Sequence, residues 1–203
     1  LALCFTPGTR VLMADGASKA IEDIQVGEWV LADNPLDNLA PKPFQVVQRL
    51  ENSAHTIVRV AIQKNTGGDV GVIEATQEHP FWTRASGWKK ARELLPGDLL
   101  LNANGEDVVV VNIGFESRQT RTFNLSVDAQ HTFFVIAAGT SVLVHNVDPW
   151  EIWFSRMPKG YHEQFNHGVW ENRAVGEAIT EARALGRLPE GLTLRGANFD
   201  GKI

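Results

Sequence analysis

Lys19-Ala20-Ile21-Glu22-Asp23-Ile24-Gln25-Val26-Gly27-Glu28-Trp29-Val30 reads as a short helical turn, a glycine, an acidic residue and then an apolar strand. The same order returns in Lys89-Lys90-Ala91-Arg92-Glu93-Leu94-Leu95-Pro96-Gly97-Asp98-Leu99-Leu100. One reading is an internal duplication with a period of about 70 residues. The other is two independent turns, since Gly-Asp or Gly-Glu before a strand arises easily. Around both copies the texture is β. Short runs rich in Val, Ile and Leu alternate with turn residues, as in Arg10-Val11-Leu12-Met13 before Asp15-Gly16. Further runs are Thr56–Ile62, Val108–Val111 and Phe133–Ile136. Many short strands at regular spacing predict a mainly β, sandwich- or barrel-like fold up to residue 146.

After Asn146 the pattern changes. Trp150, Trp153 and Trp170 fall close together, and Val175, Ala178, Ile179, Ala182 and Leu185 follow at helical spacing before Gly186. The reading is therefore two domains, 1–146 and 147–203, the second a short α+β segment. The chain has 203 residues and net charge -5, so nothing points to a nucleic-acid-binding face on the β domain. No apolar run is long enough to span a membrane, and no signal peptide is visible. Both ends look truncated: Leu1 replaces an initiator Met, and the chain stops as a turn enters a strand.

The chemistry begins with Cys4, the one cysteine. It has no second thiol for a disulfide or a zinc site, and a lone cysteine is usually an inert small hydrophobe. It can also be a nucleophile, attacking the Leu3 carbonyl to turn the Leu3–Cys4 amide into a thioester. That step needs the amide nitrogen polarised and the oxyanion stabilised. Thr76 and His79, in Thr76-Gln77-Glu78-His79-Pro80, carry a hydroxyl and an imidazole three residues apart. The expectation is that Thr76 donates a hydrogen bond and His79, titrating near working pH, serves as acid and base. Far downstream, Val142-Leu143-Val144 leads into His145-Asn146. An asparagine can attack its own carbonyl through its side-chain nitrogen, forming a succinimide and freeing the next residue. His145 would polarise that carbonyl, and His131 would activate the amide or protonate the leaving nitrogen of Val147. Each motif alone has a plain structural reading. His131 could be a hydrogen-bonded core histidine, and His-Asn only a turn. The weight lies in their order along the chain.

Taken together, these residues resemble the Hint family of inteins, hedgehog autoprocessing domains and bacterial intein-like domains. Cys4-Phe5-Thr6-Pro7-Gly8-Thr9-Arg10-Val11 looks like its opening block, and Thr76-Gln77-Glu78-His79-Pro80-Phe81 like its Thr-x-x-His block. Thr122-Phe123-Asn124-Leu125-Ser126-Val127 with His131 resembles the penultimate block, and Val142–Asn146 the terminal one. The resemblance implies a compact pseudo-two-fold β fold with Cys4 and Asn146 close in space. It also implies a domain that acts on its own chain and needs no metal or organic cofactor. Two departures matter. Val147 stands where splicing inteins carry Cys, Ser or Thr, so cleavage rather than splicing is expected. Asn124 stands where many inteins have Asp, so it would position Cys4 or the amide rather than act as a base. Both features resemble Hint domains of bacterial polymorphic toxins, which precede a C-terminal payload.

That comparison implies an exported or cell-surface toxin polypeptide, with an upstream carrier region, a downstream payload and an immunity protein as partners. Residues 152–155 and 199–202 faintly resemble the start of ParB-like nuclease toxins. Two rival readings stay open: an inactive presentation module before a toxin, and an ordinary cysteine hydrolase acting on other proteins.

Overall fold

The computed structural model describes residues 3–36, 39–128 and 130–145. The chain parts into a unit Leu1–Val147 and a unit Asp148–Ile203, and all the described residues belong to the first. Asn146, the α+β segment and the helix read near residues 171–188 lie outside the described residues.

The described residues of the first unit form eleven strands: β1 (Arg10–Leu12), β2 (Ser18–Ala20), β3 (Trp29–Ala32), β4 (Lys42–Lys64), β5 (Gly71–Thr76), β6 (Pro80–Thr83), β7 (Gly87–Lys90), β8 (Leu99–Leu101), β9 (Asp107–Val127), β10 (Thr132–Ala137) and β11 (Thr140–His145). The helical residues among those described form two single turns of 3-10 helix, Ile21–Asp23 and Ala91–Glu93. The mainly β expectation therefore holds. All pairs are antiparallel, in the order β2-β1-β10-β11-β6-β8-β9-β4-β3, with β5 against β4 and β7 against β6. A bridge between Met13 and Val30 brings the β3 end of this order back beside β1, so the sheet curls on itself. β4 and β9 form one long ribbon from Val46↔Val127 to Lys64↔Val108, bent by three register shifts. Inside the curl, alternate strand residues such as Val58, Val60 and Ile62 pack with Phe5, Phe81 and Phe133.

The repeat is a structural duplication. Hairpin β1–β2 pairs Arg10↔Ala20, Val11↔Lys19 and Leu12↔Ser18. Hairpin β6–β7 pairs Pro80↔Lys90, Phe81↔Lys89 and Trp82↔Trp88, the same register in the second copy. Each hairpin leads into its 3-10 turn, whose first N–H bonds back to the loop: Ile21 to Thr9 O, and Ala91 to His79 O. Next comes a glycine at φ 96° in both copies, Gly27 and Gly97. A β-carbon is strained there, which is why glycine recurs. The two glycine N–H groups donate to Val46 O and Val110 O, and the N–H groups of Val46 and Val110 return bonds to Glu28 O and Asp98 O. The acidic residue closes the turn. Glu28 accepts from Gln25 N and pairs with Lys19, while Asp98 accepts from Leu95 N and pairs with Lys89.

The halves meet at Phe5. A bridge pairs Phe5 with Ala75, flanked by Thr6 N–H to Glu74 O at 3.1 Å and Thr76 N–H to Cys4 O at 2.8 Å. These two bonds exchange roles under the pseudo-two-fold. Phe5 also trades both backbone bonds with Phe123, each 2.8 Å. The segment around Cys4 is thus a short strand wedged between β5 and β9.

Candidate functional site

Cys4 is buried with both its backbone N–H and its carbonyl hydrogen-bonded. Its side chain is 1% exposed. Its N–H donates to Thr76 Oγ1 at 2.9 Å, and its carbonyl accepts from Thr76 N. The threonine therefore grips both sides of one residue's backbone. Its hydroxyl accepts from the Cys4 amide, the reverse of the sequence-based expectation. The reason is elementary: a planar amide nitrogen has an N–H to give and no basic lone pair to receive with.

Three residues on, His79 lies under the same strand. The turn is fixed by His79 N–H to Thr76 O at 3.1 Å. Its ring is fully buried between aromatics, 3.9 Å from the Phe5 centroid and 5.9 Å from that of Phe81. Burial pushes its pKa down from 6.5 to about 3; the charge of His145 adds to this, and an interaction with the Leu3 backbone opposes it. Only an acceptor favours the protonated ring, so the opposing group is the Leu3 carbonyl, which carries the carbon that Cys4 would attack. Neither ring nitrogen makes a hydrogen bond of ordinary geometry. His79 is thus a neutral imidazole at neutral pH, and the expectation of a residue titrating near working pH gives way to burial.

Asn124 lies on β9 and is 1% exposed. Its Oδ1 accepts from Leu125 N at 2.8 Å, leaving Nδ2 buried without a hydrogen bond. The Phe5–Phe123 bridge sets the Cys4 strand along this part of β9. Register thus sets Asn124 opposite Cys4, whose backbone Thr76 holds from the other side.

His131 and His145 sit at the ends of the β10–β11 hairpin, where Thr132 pairs with His145. His131 has φ 53°, a left-handed backbone uncommon for a residue with a side chain, and its Nδ1 is buried without a hydrogen bond. His145 is stacked edge-on against Trp88, ring centroids 5.1 Å apart, and Trp88 in turn meets Trp82 at 5.1 Å. The Val144↔Phe81 pair ties β11 to β6 and carries His145 close enough to His79 for its charge to be felt there. Two groups of expected site residues therefore adjoin through His79 and His145. Asn146 falls just past β11, outside the described residues.

The thiol itself is set by residues that sequence reasoning missed. Burial pushes the Cys4 pKa up, while the side chains of Thr122 and Asn52 pull it down. Asn52 Nδ2 lies 3.6 Å from Sγ. Thr122 stood inside the penultimate block, but only as part of the motif; Trp88 carried no signal beyond its place opposite Trp82. Among the described residues no cluster of three or more His, Cys, Asp or Glu could hold a metal. No helix of the described residues is long and apolar enough to cross a membrane.

Comparison with known proteins bears on the same region. Residues 10–147 match the model of the pretoxin HINT domain. A bacterial intein-like domain from Clostridium thermocellum is 32% identical with TM-score 0.64, the match covering 72% of this chain and all of that one. The DnaB intein of Synechocystis sp. PCC 6803 shares the fold at 20% identity and TM-score 0.55, over 72% of this chain and all of its own. In sequence, a RecA protein of Mycolicibacterium fallax is 32% identical over 105 residues, 49% of this chain. That match spans only 24% of the RecA protein's length.

Proposed function

The chain belongs to the pretoxin Hint family, and on that premise we propose that residues 1–146 cut their own polypeptide to free the segment that begins at Val147. The reading has two separable events. Downstream, the Asn146 side-chain nitrogen attacks the Asn146 carbonyl carbon. The Asn146–Val147 bond breaks, the leaving nitrogen takes a proton, and a succinimide remains. His145 and His131 assist, and the left-handed backbone of His131 is the kind of strain that a functional constraint maintains. Upstream, Cys4 forms a thioester with Leu3. Val147 offers no side-chain nucleophile to receive that acyl group, so water or an added nucleophile takes it, and splicing does not follow.

The observation that carries the reading is the grip on the Cys4 backbone beside the Leu3 carbonyl. Thr76 binds Cys4 through both backbone and hydroxyl, and His79 lies beside the Leu3 carbonyl. A neutral imidazole N–H aimed at that oxygen would stabilise charge as it develops, without having to carry a proton beforehand. Thr76 would hold the nitrogen while it leaves. Asn124 Nδ2, buried and unpaired, is free to join them. Residues 147–203 would then be the beginning of the payload, within an exported toxin polypeptide whose cognate immunity protein binds the freed part.

Intact mass over time, with and without hydroxylamine, tests both events. Wild type should lose 147–203 and, with hydroxylamine, release Leu1–Leu3. Asn146→Ala should stop the first loss only, and Cys4→Ala the second only. A folded wild-type chain that stays whole under both conditions would sink the reading and favour a silent presentation module.

A further inference from the structure

Two neighbouring strands aim polar side chains at one sulfur. Asn52 on β4 and Thr122 on β9 face each other as a cross-strand pair. Thr122 and Asn124, two residues apart, share one face of β9. On the other side of β9, the Phe5–Phe123 bridge continues in register to set Cys4 against Asn124, with Thr122 on the diagonal. Asn52 Nδ2 reaches across to within 3.6 Å of Cys4 Sγ. Thr122 is 0% exposed, and its hydroxyl makes no hydrogen bond of ordinary geometry. A buried hydroxyl without a partner costs stability that a valine of the same shape would not. Its presence asks for a partner that becomes a strong acceptor at another stage, and the group on which it already acts is the Cys4 thiol.

We propose that the Thr122 hydroxyl and the Asn52 carboxamide are the two donors that hold the Cys4 thiolate for attack on the Leu3 carbonyl. The inference rests on reading Cys4 as the upstream nucleophile. The step balances simply. Sγ–H gives its proton to solvent, and the sulfur lone pair forms the bond to the Leu3 carbonyl carbon. The C–N pair returns to the Cys4 nitrogen, which takes up a proton. Sulfur needs the donors only before attack, since a thioester sulfur is a poor acceptor, so the interaction favours the nucleophile's charged form without trapping the product. The titratable and charged groups nearest in the fold are His79 in the β5–β6 turn, Glu74 paired with Arg59 and Arg118, Glu116 paired with Arg118, Glu51 paired with Arg121, and Arg49 and His55 on β4. The side chains that act on the thiol are Thr122 and Asn52, both neutral donors.

Because Cys4 is the only cysteine, the ultraviolet absorbance of its thiolate can be titrated in the full 203-residue chain, with Cys4→Ala as the blank. Thr122→Val should raise the titration by about one pH unit and Thr122→Ser should restore it. Asn52→Ala, at an exposed position, should raise it too, and serves if the valine variant fails to fold. At neutral pH, release of Leu1–Leu3 by hydroxylamine should fall about tenfold in Thr122→Val and recover as pH rises. Downstream loss of 147–203 should be unchanged. Titrations that coincide with wild type in both variants would overturn the proposal, whatever the hydroxylamine result. Shifted titrations in a chain that never yields the hydroxamate would keep the donors and reject the thioester reading.

Discussion

The two halves of the β domain are the same loop-hairpin-turn built twice, and they bury different polar groups: Cys4 in the first copy, Thr76 and His79 in the second. Thr6 and Thr76 hold matching places about the Phe5–Ala75 bridge. Three residues on, Thr9 stands where the other half has His79. Thr9 turns its hydroxyl back to Thr6 O at 2.8 Å and does no more than tighten the turn. His79 instead fills a fully buried slot beside Phe5 and the Leu3 carbonyl. The hairpins differ likewise: Leu12 opposite Ser18 in one, Trp82 opposite Trp88 over His145 in the other. What the copies share is the architecture that closes a turn, namely glycine, acid and lysine. Where they differ lies at the candidate site. A duplicated scaffold can thus diverge loop by loop, with the thiol in one copy and the buried threonine and histidine in the other.

Making the second half a copy of the first should therefore break it most severely. His79→Thr is expected to cut hydroxylamine release of Leu1–Leu3 by about 100-fold or more, with circular dichroism unchanged. Wild-type rates in that variant would mean the two loops are equivalent. The next effect is on stability. His79 is neutral in the fold down to about pH 3 but titrates near 6.5 when unfolded. Below 6.5 the unfolded chain binds a proton that the native one refuses, so stability should fall as pH drops from 6.5 towards 3. The slope from this residue is at most about 1.4 kcal/mol per pH unit. Urea unfolding of wild type minus His79→Gln isolates it, and a difference flat with pH would contradict the buried neutral ring.

Where the halves match, matched mutations should cost alike. Gly27→Ala and Gly97→Ala each force a side chain into φ 96° with no close neighbour to clash with. Both should lose about 1–2 kcal/mol in urea unfolding. Unequal losses would show that one turn bears more of the fold. Smallest is Trp88→Ser, which copies Ser18 and removes the ring against His145. It should slow loss of 147–203 about two- to tenfold by intact mass, with upstream release unaffected.

Much of this was open to reading along the chain. Val, Ile and Leu runs marked the strands, and the echo of Lys19–Val30 in Lys89–Leu100 marked the duplication. The polar stretch Gln48-Arg49-Leu50-Glu51-Asn52-Ser53 hid the middle of β4, because a strand exposed on much of its surface has no apolar alternation to betray it. Asn52 stayed invisible for that reason, and its meaning depends on pairing with Thr122, far away in sequence. The state of His79 was equally hidden. A histidine's proton affinity follows from what is packed around it, and Phe5, Phe81 and His145 come from three separate segments.

The wedge that Phe5 drives between β5 and β9 bears on timing. Cys4 leaves the ribosome among the first residues of this domain, yet its amide waits for Thr76, a sequence separation of 72, and Phe5 waits for Phe123. The Cys4 segment cannot meet Thr76 and Phe123 until almost the whole domain has been synthesised. On the proposed reading, order of assembly would act as a clock that spares the Leu3–Cys4 bond while the chain is still growing.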